Sequence, residues 1–174
     1  MDNTNSANPI HYVTGATYNA AASLTGSIYG QNGSFTGITN TVVYTNRLQP
    51  CRMMASTTGA VSPNCDASWG NVLDLRYDFH QGNGNNGNVY AIANYRDQGR
   101  NQVFTYDPLN RLLSAQNAGT DCTKKLPDGH TEYWGNSYVY DAWGNLKQKK
   151  CHQVPGREPE CGRGSQQPIA GLFV

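Results

Sequence analysis

Charge is scarce in this sequence. Only 14% of its 174 residues are charged, and 13 cations nearly cancel 12 anions to leave a net +1, well below the quarter or so usual in globular chains. Such a balance supplies no basic face for nucleic acid and no polybasic membrane patch. The one basic run, Lys147, Lys149 and Lys150, reads as a solvated strand end. Long apolar runs are absent too: none approaches the roughly 18 residues that cross a bilayer. The opening "MDNTNSANPIHYVTG" has neither a basic nor an apolar region of the kind a signal peptide needs. The expectation is a chain that is cytoplasmic if expressed alone, or an internal piece of a longer secreted or cell-surface protein.

Cofactor signatures are missing as well. The five cysteines, Cys51, Cys65, Cys122, Cys151 and Cys161, form no C-x-x-C, and 13, 56, 28 and 9 residues separate successive pairs. This matches no common zinc pattern, so a metal site from Cys122, Cys151, His152 and Cys161 is set aside and no cofactor is expected. Cys51 and Cys65 bracket a loop with Gly59 and Pro63, which makes them the candidate disulfide in an oxidising setting. Gly82, Gly84 and Gly87 do not form a phosphate loop ahead of a helix. His11, His80, His130 and His152 lie in Gly-, Pro- and Asn-rich surroundings, with no Ser or Cys in a strand-turn-helix setting, so a nucleophilic triad is not expected.

What the chain has is turn formers and strand formers: 19 glycines, 19 asparagines and 11 tyrosines. Asn and Gly suit turns and disfavour helix interiors, while Tyr, Thr and Val suit half-buried strands. Three stretches align on a tyrosine: "ATYNAAASLTGS", "FTYDPLNRLLSA" and "YVYDAWGNLKQK", with leucine six residues after it in each. Weaker copies surround Tyr44 ("VVYTNRLQ") and Tyr77 ("LRYDFHQGNG"). The five tyrosines, Tyr18, Tyr44, Tyr77, Tyr106 and Tyr140, stand 26, 33, 29 and 34 residues apart. A recurring unit of that size marks an array rather than one mixed fold.

Each unit reads as a β-hairpin. Asp141-Ala142-Trp143-Gly144 has Asp first and Gly fourth, as a type I turn prefers, and Asp107-Pro108-Leu109-Asn110 has Pro second and Asn fourth. A type I turn followed by a left-handed residue gives a three-residue loop with a bulge, which brings Leu112 to Tyr106 and Leu146 to Tyr140. A helix over "NRLLSAQNAG" is the competing reading, but "GNLKQKK" begins with Gly-Asn and "ASLTGS" is broken by Gly26, so strands fit all copies. Asp78, Asp107 and Asp141 offer the carboxyls of a glycosidase pair, but the turn slot already explains them, and no catalytic residue is expected. Trp134 and Trp143 are the candidate sugar-stacking residues. "QGNGNNGNVY" reads as a long loop, "NVYAIANY" as a strand, and residues 117–136 as a surface insertion. The tail from Cys151 is expected to be irregular or disordered, and out-of-frame coding sequence after a truncation is one origin for it.

"YDPLNRLLSA" and "YVYDAWGNL" resemble the YD repeat of the Rhs family, and "YTNRLQ", "GNGNNGNV" and "TYNAAASLTG" resemble degenerate copies. The motif residues are Tyr106, Asp107, Arg111 and Leu112 in one copy and Tyr140, Asp141, Gly144, Asn145 and Leu146 in the other. Asn110 replaces the usual glycine, and the Tyr44 copy is two residues shorter between tyrosine and leucine. The resemblance implies an all-β antiparallel β-hairpin array with long loops, a ribbon that spirals into part of a hollow shell. It divides the chain into a lead-in (1–14), a repeat region (15–150) and a tail (151–174). In that family the shell encloses a C-terminal toxin for delivery. The implied role is a non-enzymatic wall segment whose partners are further YD repeats and an encapsulated toxin. The alternative is a cell-surface carbohydrate-binding β-module. The self-cleaving Asp-Pro motif of the family is not carried over to Asp107-Pro108, which lies inside a repeat.

Overall fold

The computed structural model describes residues 11–59, 64–66, 70–80, 84–117 and 134–151. The tail after Cys151, most of the insertion between β-hairpins and residues 1–10 lie outside the described residues, as do His130, His152, Cys122, Cys161 and Gly82. Ten strands occur among the described residues: β1 His11–Tyr18, β2 Leu24–Gln31, β3 Ile38–Tyr44, β4 Pro50–Ser56, β5 Leu73–Asp78, β6 Ala91–Asn94, β7 Gln102–Tyr106, β8 Leu112–Asn117, β9 Gly135–Tyr140 and β10 Leu146–Cys151. Each strand pairs with its chain neighbours, giving the antiparallel order β1 to β10. The single helical element among them is a 3₁₀ turn at Gln98–Arg100. The strand reading of "NRLLSAQNAG" therefore holds, since β8 starts at Leu112. The first strand begins at His11, inside the stretch read as a lead-in.

Two compact units make up the chain: residues 1–87 with 92–97, and residues 88–91 with 98–174. In the first, the core sits on β4. Its pattern is almost continuous burial, with Cys51, Arg52, Met54, Ala55 and Ser56 all buried, as a strand covered on both faces requires. Val42 of β3 and Phe79 after β5 complete the apolar part. Among the described residues of the second unit, Ala115 and Asn117 of β8 are buried. Asn117 closes that unit through its side chain. Its Nδ2 donates to the Gly99 carbonyl at 3.2 Å and its Oδ1 accepts the Trp134 amide at 3.0 Å.

The hairpin registers agree at one point in four places. Tyr18 faces Leu24, Tyr44 faces Pro50, Tyr106 faces Leu112 and Tyr140 faces Leu146. A bulge adjoins each pairing, because a three-residue loop leaves one residue more on one strand than on the other. This corrects the alignment of the Tyr44 copy. That copy is not shorter: Pro50, six residues after Tyr44, takes the leucine's place, and Leu48 belongs to the turn.

The fourth turn residue is left-handed in all four hairpins: Ala22 (φ 59°), Leu48 (φ 60°), Asn110 (φ 61°) and Gly144 (φ 90°). Leucine pays most there, since its Cβ crowds the following carbonyl. Leu48→Gly should therefore raise stability by roughly 0.5–1 kcal/mol, the strain relieved less the added chain entropy. Gly144→Ala should lower it by about 1 kcal/mol. Urea unfolding midpoints check both signs.

Candidate functional site

The site to examine is the turn that carries the Tyr-Asp motif. Asp107 Oδ1 accepts the amides of Leu109 (2.9 Å) and Arg111 (2.8 Å). Asp141 Oδ1 accepts those of Trp143 (2.9 Å) and Asn145 (2.8 Å). The same pair of bonds recurs where the sequence has no aspartate. Asn19 Oδ1 accepts from Ala21 and Ser23 at 3.0 and 2.9 Å, and Thr45 Oγ1 accepts from Arg47 and Gln49 at 3.2 and 3.3 Å. The backbone closes identically around each. In the Asp107 turn, for example, the Asn110 amide donates to the Asp107 carbonyl and the Asp107 amide to the Arg111 carbonyl, both at 2.9 Å. Asp78 starts the same way, accepting the His80 amide at 2.7 Å.

The second carboxylate oxygen is also engaged. Asp107 Oδ2 takes the Arg111 Nε at 2.6 Å, and Asp141 Oδ2 takes the Asn145 Nδ2 at 3.0 Å. For Asp107, desolvation pushes the carboxyl up, but the Arg111 amide and side chain, the Leu109 amide and the Arg111 charge outweigh it and hold the carboxyl below its usual value. For Asp141 the Asn145 side-chain bond is the leading cause; burial opposes it and the turn amides add to it, and the net effect is again downward. Both are kept as bound anions, whereas a general acid needs a raised pKa and an open proton site.

The tyrosines do something that sequence reading did not anticipate. Tyr44 Oη donates to the Leu24 carbonyl at 3.0 Å, and Tyr140 Oη to the Leu112 carbonyl at 2.9 Å. Each hydroxyl leaves the last residue of an outgoing strand and reaches the first residue of the previous hairpin's return strand. Tyr106 Oη makes the matching bond to the Val89 carbonyl at 2.7 Å, and its ring meets Tyr90 edge-on at 5.5 Å. Tyr77 departs from the pattern, its hydroxyl lying 3.5 Å from Met53 Sδ. Arg111 adds a second tie. Its guanidinium lies 4.8 Å over the Tyr140 ring, and its Nη1 donates to the Asp141 carbonyl at 3.4 Å. The signal available was the recurrence of the Tyr-Leu unit along the chain, which puts the tyrosine of one hairpin and the leucine of the one before in successive repeats but does not say which atoms meet.

The remaining candidates are dispersed. Trp134 precedes β9 and Trp143 sits in the turn after it, 90% exposed. A six-residue strand at about 3.4 Å per residue puts them roughly 20 Å apart, too far for one stacking platform. A cleft of about 530 Å³ in the first unit is lined by Gly15, Thr17, Gly26, Thr41, Val43 and Leu48 among others, with no charged side chain. Among the described residues no group of three or more His, Cys, Asp or Glu is placed to hold a metal ion. Nor is any helix long and apolar enough to cross a membrane. Cys51 and Cys65 are joined, with their Cα atoms 5.4 Å apart.

Two expected outcomes follow from this geometry. Tyr140→Phe should cost about 1 kcal/mol, the worth of one net hydrogen bond, and should cost nothing if the hydroxyl bond is incidental. Carboxyls depressed in the folded state add stability above their unfolded value, near pH 4, which is lost as pH falls through the lower folded values. Stability should therefore fall on acidification below about pH 4. Asp107→Asn with Asp141→Asn should flatten that part of the profile while keeping the turns, as Asn19 shows.

No family model matches the sequence, and no curated protein matches it. Solved structures do. A chain of the Photorhabdus luminescens Tc holotoxin pore carrying a TccC3 mutation superimposes with a TM-score of 0.56 at 20% identity over 82% of this chain. The TcdB2-TccC3 crystal structure gives 0.55 at 19% over 83%, and TcdB2-TccC3-TEV gives 0.53 at 19% over 82%. This chain spans about 7% of the length of each. Its fold is the β-hairpin array of these Tc-toxin chains, which are Rhs/YD-repeat proteins.

Proposed function

We propose that the chain is a wall segment of a YD-repeat shell, non-enzymatic in itself. Its partners on this reading are further YD hairpins and a toxin enclosed by the complete shell. The observation that carries the reading is the tyrosine tie from hairpin to hairpin, made by Tyr44, Tyr106 and Tyr140. A bond that in these three repeats points to the preceding one propagates along a ribbon, and it uses the motif residue for assembly rather than chemistry. The likeness to the Tc-toxin chains supports the same role. The engaged aspartates add to it, since they offer no acid-base pair in a shared cleft. A secreted or cell-surface setting goes with this role, as part of a longer protein.

Binding and turnover assays on the purified chain test the proposal. A glycan array should give no saturable binding, and Asp107→Asn or Asp141→Asn should alter stability without removing any hydrolase activity. Saturable glycan binding lost on Trp143→Ala would overturn it in favour of a carbohydrate-binding module.

A further inference from the structure

The least repetitive part of the molecule is the environment of Cys51, Arg52 and Asp74 in the first unit. Arg52 is fully buried, 0% exposed, and its Nε and Nη2 both lie on Asp74 Oδ1, at 2.8 and 2.7 Å. The approach of Nη2 is too oblique for a good hydrogen bond, so the pair rests on one oriented bond and on charge. Its guanidinium also packs on the Tyr95 ring at 4.2 Å. The third contact comes from the disulfide: Arg52 Nη1 donates to the Cys65 carbonyl at 3.3 Å. Cys65 is thus held twice, by its sulfur on Cys51 and by its carbonyl on the neighbouring Arg52. The two sulfurs are not equally placed. Cys51 is 2% exposed within β4, whereas Cys65 is only half-buried and flanked by the exposed Asn64 and Asp66.

We propose that the Cys51–Cys65 bridge is a thiol-exchange latch that holds the Cys65 carbonyl on Arg52 of the buried Arg52–Asp74 pair, and that a dithiol reductant opens it from the Cys65 side. The reductant's thiolate attacks Cys65 Sγ, the S–S bond breaks, and its electron pair leaves on Cys51 Sγ, which takes up a proton. The second thiol of the reductant then closes on the mixed disulfide, releasing Cys65 as a thiolate and leaving the reductant oxidised. The reduced Cys51 has an acceptor waiting, because the Val43 carbonyl lies 3.4 Å from its Sγ. It stays seated as a thiol donor in β4. The β3–β4 and β4–β5 ladders involve no atom of Cys65. Opening is therefore local. The Cys65 carbonyl leaves Arg52, water reaches the ion pair, and the strands remain paired.

Hydrogen exchange of the intact chain, resolved by peptide and read before and after dithiothreitol, tests this. The peptide carrying Cys65 should exchange about tenfold faster or more after reduction, while β4 and β5 keep their protection. Iodoacetamide added after reduction should label Cys65 about tenfold faster than Cys51, following exposure. Cys65→Ser should reproduce the reduced pattern without reductant. Three results would each overturn the proposal: an unchanged Cys65 peptide, loss of protection across β4 and β5 together, or equal labelling of the two cysteines. The second of these would show a general staple of the unit rather than a latch.

Discussion

The four regular hairpins of this protein depend on one local hydrogen-bond pattern. A side-chain oxygen at the first turn position accepts the amides two and four residues further on. Those amides would otherwise need water or another partner at a tight reversal. The pattern tolerates Asp, Asn and Thr because each offers an acceptor at a similar reach. Threonine does it with the longest bonds, 3.2 and 3.3 Å, having a shorter side chain and a neutral oxygen. Once the turn is closed, the left-handed fourth residue and the bulge after it follow, and the register of the two strands is set.

The turn delivers the tyrosine to the end of its strand, and the tyrosine joins one hairpin to the one before. A strand ladder satisfies backbone groups along its length, but the first carbonyl of a return strand sits beside the turn, where the ladder ends. Leu24 and Leu112 have that carbonyl capped by a hydroxyl from the next repeat. The bond depends on the start of one return strand and the end of the next outgoing strand, not on what lies between. That is why the repeats led by Tyr44, Tyr106 and Tyr140 can follow the previous tyrosine by 26, 29 and 34 residues and still make the tie. In the second unit polar ties and the Arg111–Tyr140 stack supplement apolar burial.

The first unit solves the problem differently. β4 is buried on both faces and carries an arginine into the interior, where its charge is matched by Asp74, an aromatic face and a carbonyl. A buried ion pair of this kind costs desolvation and is sustained only when its other hydrogen-bonding positions are met. Sequence reading passed over Arg52 and Asp74 because each residue type is ordinarily exposed, and 22 positions separate them. The strand "PCRMMAS", also passed over, is the centre of the unit's core. The Tyr44 copy was misaligned for a related reason. Leu48 looked like the motif leucine, yet it occupies a left-handed turn position that leucine rarely takes.

The sequence by itself determined the class of structure and the hairpins: strand, Asp- or Asn-led turn, returning strand, in an antiparallel array. These are short-range consequences of backbone preference and amide satisfaction, and they can be read within a dozen residues. The tertiary structure decided which atoms link one hairpin to the next, that Pro50 stands in for a motif leucine, and that Arg52, Asp74, Tyr95 and Cys65 converge. Apart from Pro50, which faces Tyr44 six residues away, those contacts join residues 13 to 43 positions apart, and no local preference encodes a partner at that distance. Only the packing of successive strands brings them within reach.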